Sequence, residues 1–163
     1  MKFVVLYLLA IVLANLSVAA FGPGITIVNA FLFIGLDLTA RDKLHDLWHG
    51  SRLAIKMGTL IAAGSLISWW LNRDAGQIAL ASFASFAVAA VVDTIMYHLL
   101  RKHSRLIRVN GSNIFSALVD SITFPTLAFG GFLPLITFGQ FISKVAGGYV
   151  WSVIIMKGSK NYE

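Results

Sequence analysis

Cysteine is absent from the chain, which excludes disulfides, thiolate catalysis and cysteine-held zinc. Charge is scarce as well. Only 12% of residues are Asp, Glu, Lys or Arg, against about 25% in soluble domains. No P-loop, GxGxxG, GxSxG or HExxH motif occurs, so the chain carries no ATPase of its own and resembles no hydrolase. What is present is apolar: 58% of the 163 residues are hydrophobic. These features describe an integral membrane protein. The net charge of +6 then follows membrane topology rather than nucleic-acid binding.

Six apolar segments can be marked, at about 3–21, 24–40, 53–71, 76–100, 112–130 and 133–156. A hydrocarbon core of ~30 Å needs ~20 helical residues, so each segment is a candidate span, with 24–40 at the short limit. Continuous apolar runs without alternation favour helices over a β-barrel. The expected fold is all-α: one six-helix transmembrane domain over 1–163. Basic residues sort by loop. Lys2, Arg41, Lys43, Arg52, Arg101, Lys102, Arg105, Arg108, Lys157 and Lys160 fall on one side, and Arg73 on the other. Both termini are therefore expected in the cytoplasm, with loops 41–52 and 101–111 on that side. The first segment also resembles a signal peptide, with a Ser17-Val18-Ala19 run. Retaining it gives the consistent six-span charge pattern and is the preferred reading.

The fifth segment is where chemistry concentrates. Asn113, Ser116, Asp120, Ser121 and Phe124 share one helical stripe. Asp120 lies near mid-span, where an ionised carboxylate costs roughly 2.5–3.5 kcal/mol. Such a residue needs a buried partner, a wet cavity or a ligand. In the fourth segment Ser82, Ser85, Phe86, Ala89, Asp93 and Tyr97 form one face. Its small residues read as close-packing positions, whereas Asp93 is too deep for free solvation and reads as functional. The sixth segment carries Gln140 and, one turn on, Lys144, which is expected to balance Asp120 or Asp93. Buried ion pairs stabilise poorly, so their presence leans toward a site. Gly147 and Gly148 read as close-packing residues.

Asp37 and Arg41 are four apart at the end of the second segment. They read first as a structural or gating salt bridge that fixes its depth, and second as ligand contacts. Asp42, His45, Asp46 and His49 cluster in sequence, but a metal site is not expected there, nor any cofactor. Trp48, Trp69, Trp70 and Trp151 sit near span ends, as interfacial anchors do.

FIGLDLTARD (33–42), ASFASFAVAAVVD (81–93), SNIFSALVDSITF (112–124), and Gln140 with Lys144 together resemble the queuosine-precursor transporter family, also called the vitamin uptake transporter family. These pieces touch four of the six segments. The resemblance implies six helices in the inner (cytoplasmic) membrane and import of 7-cyano-7-deazaguanine or its 7-aminomethyl relative. The short termini and loops suit a bacterial or a phage-encoded copy alike.

The residues suit such a ligand. A carboxylate can accept the N1–H and 2-amino donors of a deazaguanine as a bidentate pair. Asp120 and Asp93 are the candidates, one for the purine edge and the other for proton or ion coupling. Asn113, Gln140 or Lys144 would donate to O6, with Ser116 and Ser121 completing the lining. Phe83, Phe86, Phe124 and Phe141 are candidate ring platforms.

Other classes stay open at this level. One is a binding subunit energised by a separate ATPase, for which Ala10-xxx-Ala14 offers a flat docking face. Another is an importer of a different vitamin-like nucleobase. A holin-like structural protein fits the intramembrane charges poorly, and an enzyme lacks any nucleophile–base constellation. A homodimer is neither required nor excluded.

Overall fold

The computed structural model describes residues 2–48 and 52–159. It is all-α. Helix α1 (Lys2–Phe21) is followed by α2 (Ile25–Asn29), a π-helical turn (Ala30–Ile34) and α3 (Gly35–Leu47). The backbone stays right-handed helical across both junctions, so these three pieces form one rod. Next come α4 (Leu53–Leu71), α5 (Gly76–Leu99), α6 (Arg105–Phe129) and α7 (Pro134–Ser159), with 3₁₀ turns at Arg73–Ala75 and Leu100–Lys102.

Local chemistry sets the ends. Gly22 and Gly130 terminate α1 and α6 at φ 75° and 74°, a left-handed conformation glycine adopts without penalty. Ser104 caps α6, its hydroxyl accepting from Ile107 N at 3.4 Å. Pro134 opens α7 at the first helical position, where a missing N–H costs nothing.

Two helices among the described residues, Lys2–Phe21 and Arg73–Lys102, are long and apolar enough to cross a membrane, and Ile55–Leu71 is a shorter apolar helix. That is fewer than the six expected. The reason is chemical. Helices α6 and α7 carry Asn113, Ser116, Asp120, Gln140 and Lys144 within their length, and α3 carries Asp37, Arg41, Asp42 and Lys43. Boundaries differ too. Helix α6 begins at Arg105 rather than 112, and α3 continues to Leu47 rather than stopping at 40, so much of both expected loops is helical.

The distribution of side chains is that of a membrane protein. Leu135, Phe21 and Trp70 are 86%, 74% and 72% exposed, whereas Asn15, Asn29, Gln140 and Lys144 are buried. Trp69 and Trp70 lie in the last turn of α4, and Arg73 stacks on Trp69 at 3.8 Å.

Helices α5 and α6 pack along their length as an antiparallel hairpin. Helix α1 lies against α3 and α4, and α3 against α7. The last crossing is close. A Cβ on Gly147 would collide with the Phe31 carbonyl oxygen, so only glycine fits where α7 crosses the π-helical turn. The close-packing role read for Gly147 holds. Helix α1 is integral to the bundle, with Tyr7, Ala10, Ile11, Ala14, Asn15 and Val18 buried. Ala10 and Ala14 therefore face inward, which corrects their reading as an outer docking surface.

Candidate functional site

The centre of the site is an ion pair between neighbouring helices. Lys144 Nζ of α7 donates to Asp120 Oδ2 of α6 at 2.6 Å, and both side chains are more than nine-tenths buried. Lys144 also donates to Ser121 Oγ at 3.1 Å and to Gln140 Oε1 at 3.3 Å. Three acceptors saturate the ammonium. Helical spacing explains the grouping: Gln140 sits one turn before Lys144 on α7, and Asp120 adjoins Ser121 on the buried stripe of α6. Of the two carboxylates open to Lys144 at the sequence level, the structure selects Asp120.

The pair leaves two groups unsatisfied. Asp120 Oδ1 and Gln140 Nε2 are buried with no hydrogen-bond partner. One is an acceptor and the other a donor. Buried polar groups are nearly always paired, so each such group calls for an explanation.

Space lies on both sides of the pair. A cavity of about 30 Å³ is lined by Asn15, Thr26, Asn29, Ser82, Ser85, Phe124 and Gln140, among others. A second cavity, of about 350 Å³, is lined by residues that include Tyr7, Asp37, Arg41, Gly58, Phe83, Asp93 and Ser116. Ile34, Phe86, Asp120 and Lys144 line both. The larger volume falls in the ~300–1,000 Å³ range of small-molecule pockets. The smaller has room for a water or two.

The smaller cavity is ringed by amides that satisfy neighbouring groups. Asn15 Nδ2 donates to Ser68 Oγ at 3.2 Å, and Asn15 Oδ1 accepts from Ser82 Oγ at 2.6 Å, tying α1 to α4 and α5. Asn29 Nδ2 donates to Ser17 Oγ at 2.7 Å and to Ala14 O at 3.2 Å, tying α2 to α1.

The sequence-predicted residues are thus partly assembled. Asp120, Lys144, Gln140, Phe86, Phe124, Ser116, Asp93, Asp37 and Arg41 all line one or both cavities. Asn113 and Ser121 are not among the described lining residues. Asn113 Oδ1 instead accepts from Arg41 Nη2 at 3.1 Å, and Ser121 stands behind Lys144. Of the aromatic candidates, Phe86 sits between the cavities, Phe83 borders the larger and Phe124 the smaller. Phe141 borders neither among the described residues.

Sequence reasoning missed Asn15, Tyr7 and Ile34. Asn15 had a signal: it is an amide inside an apolar span, where polar side chains bond across helices. The side chains of Asp42, His45 and Asp46, and His49 altogether, lie outside what the structure describes. Among the described residues, no group of three or more His, Asp or Glu is placed to hold a metal ion.

A family model described as a putative vitamin uptake transporter matches residues 3–157. The chain matches no curated protein and no solved structure.

Proposed function

Since the chain belongs to the putative vitamin uptake transporter family, we propose that this membrane transporter imports 7-cyano-7-deazaguanine or a closely related 7-deazapurine. On this reading the single domain 1–163 crosses the inner (cytoplasmic) membrane six times, with both termini in the cytoplasm. The charge pattern of the loops supports that orientation.

The observation that carries the reading is the unsatisfied acceptor–donor pair, Asp120 Oδ1, which borders both cavities, and Gln140 Nε2, which borders the smaller. A deazaguanine offers the complementary edge. Its N1–H and 2-amino group donate to a carboxylate, and its O6 accepts from an amide. Phe86, which borders both cavities, offers a ring face. Lys144 holds the Asp120 carboxylate in place through their 2.6 Å ion pair. Ser121 and Asn113 act one layer back, holding Lys144 and Arg41.

The two cavities also suit alternating access. The larger is bordered by Asp37, Arg41, Gly58 and Asp93, toward the basic end of the bundle. The smaller lies toward the Arg73 end and is bordered by the Asn15 and Asn29 bonds. Asp120, Lys144, Ile34 and Phe86 lie between the two spaces, and on this reading the larger faces the cytoplasm.

The test is uptake in cells that neither make the precursor nor have their own importer. Deazaguanine in tRNA is read at limiting external 7-cyano-7-deazaguanine. The wild-type chain is expected to restore it, and Asp120→Asn, expressed to the same level, to abolish it. No restoration by well-expressed wild type would overturn the reading.

A further inference from the structure

The larger cavity is not electrically balanced. Among its described lining residues are three carboxylates, Asp37, Asp93 and Asp120, and two cations, Arg41 and Lys144. Three against two leaves one surplus negative charge. Lys144 answers Asp120 at 2.6 Å. Arg41 shares its wall with Asp37 and reaches Asn113. Asp93 has no such counterpart among the described residues. Its Oδ1 is buried without a hydrogen-bond partner, although its side chain opens on the cavity.

We propose that Asp93 carries the proton that drives uptake, so that one proton enters with each purine. This rests on the reading of the protein as a deazapurine importer. The cargo is neutral and cannot cancel the surplus charge. When the cavity closes around it, water leaves, and an ionised Asp93 would be occluded with no partner. A charge enclosed without a partner is costly. A proton removes the penalty. On the outer side the carboxylate takes H⁺ from hydronium, giving the carboxylic acid and water. On the inner side it returns H⁺ to water. The carrier loaded with purine and proton is neutral at this position. The empty carrier returns with one negative charge, and an inside-negative potential favours that step.

A proton fits the surroundings better than a metal ion. Hard cations ask for many oxygen ligands. Beside Asp93 on α5 the wall carries Ala89, Ala90 and Thr94, and the Thr94 hydroxyl is already donated to Ala90 O at 2.9 Å. The groups facing the same space are Tyr7 from α1, Asp37 and Arg41 from α3, Asp120 from α6 and Lys144 from α7. Helix α4 contributes Met57, Gly58 and Ile61, none of which titrates. On α5 itself, Tyr97 and His98 follow one turn later.

The experiment uses the full chain in liposomes and labelled 7-cyano-7-deazaguanine. With the interior two pH units more alkaline, one proton per purine sets a limit of about hundredfold accumulation, tenfold per unit. Wild type is expected to approach it and to lose it with a protonophore. Asp93→Asn is expected to equalise the purine at a ratio of about one while still exchanging labelled for unlabelled purine, which shows that it is folded. Asp93→Glu is expected to recover accumulation. Gradient-driven accumulation by Asp93→Asn would overturn the proposal, as would wild-type accumulation on a sodium gradient at equal pH. Wild-type exchange that ignores the pH gradient overturns this proposal alone. A wild type that moves no deazaguanine at all overturns the function reading and this proposal with it.

Discussion

The two cavities flanking the Asp120–Lys144 pair are built from the same kinds of side chain and differ in how their polar atoms are spent. In the smaller, the Asn15 and Asn29 amides bond across to Ser68, Ser82, Ser17 and the Ala14 carbonyl. Bonds made between helices draw them together, and about 30 Å³ is left. In the larger, a carboxylate oxygen of Asp93 finds no partner, small residues such as Ala87, Ala89 and Ala90 line the wall, and about 350 Å³ stays open. Buried polar groups that satisfy one another tie helices together. Those left unsatisfied, Gln140 Nε2 on the smaller cavity among them, keep a place for a ligand. The ion pair belongs to both spaces, half spent and half available.

The comparison breaks hardest at that pair. Asp120→Asn or Lys144→Met each leaves a buried charge without its partner, and each is expected to lower stability by about 3–5 kcal/mol. The double variant removes both charges and is expected to recover most of that loss, because replacing a whole buried pair is often neutral. Thermal unfolding in detergent reads the cycle. Uptake should not recover with stability, since on the proposed reading Asp120 makes the purine contact. A double variant as unstable as the two losses summed would mean that the charges are not coupled. The pair would then be no divider between the two spaces.

A smaller break tests the sealed side. Asn15→Ala removes two hydrogen bonds and strips Ser68 and Ser82 of a partner. The expected cost is about 1–3 kcal/mol. Ser85→Ala is the control. Its hydroxyl bonds only locally, to Ser82 O at 3.2 Å, and the expected change is within about 0.5 kcal/mol. Equal melting of the two variants would show that the Asn15 bridge does not tie α1 to α4 and α5 beside the smaller cavity.

How much of this could be read from the chain depends on what each residue announces by itself. Asp120, Gln140 and Lys144 stand out because charge and amide inside an apolar span are costly, and helical spacing puts Gln140 and Lys144 on one face. Which carboxylate meets Lys144 was open, because sequence reports depth along a helix but not the rotation of one helix against another. Asn15 was passed over inside a run read for its alanines and its signal-like flank. The alanines proved to be packing residues facing the same interior as Asn15. The π-helical turn at Ala30–Ile34 had no local signature. It accompanies the close crossing with Gly147, a contact 109 or more residues distant in sequence for the neighbouring Thr39–Gly148 pair. Helix ends were misplaced for another reason. A membrane-length apolar window cannot see a helix that continues past it, as α6 does from Arg105 and α3 does to Leu47.

The smallest effect sharpens the open side. Asn113 was expected in the polar lining, but its Oδ1 accepts from Arg41 Nη2 at 3.1 Å, a link between α6 and α3 at the wall of the larger cavity. Both residues are half-buried, so the bond is worth about 1 kcal/mol rather than the larger figure for a charged donor in a dry site. Asn113→Ala is expected to lower stability by that amount and to raise the uptake KM about twofold, through a less well-placed Arg41. Asn113→Asp keeps the acceptor and adds a charge that Arg41 can meet, so it is expected to match wild type in both measurements. If Asn113→Ala also matches wild type, Arg41 is positioned without help from α6. The working part of the α6 stripe then starts at Ser116, and the wall of the larger cavity is held from α3 alone.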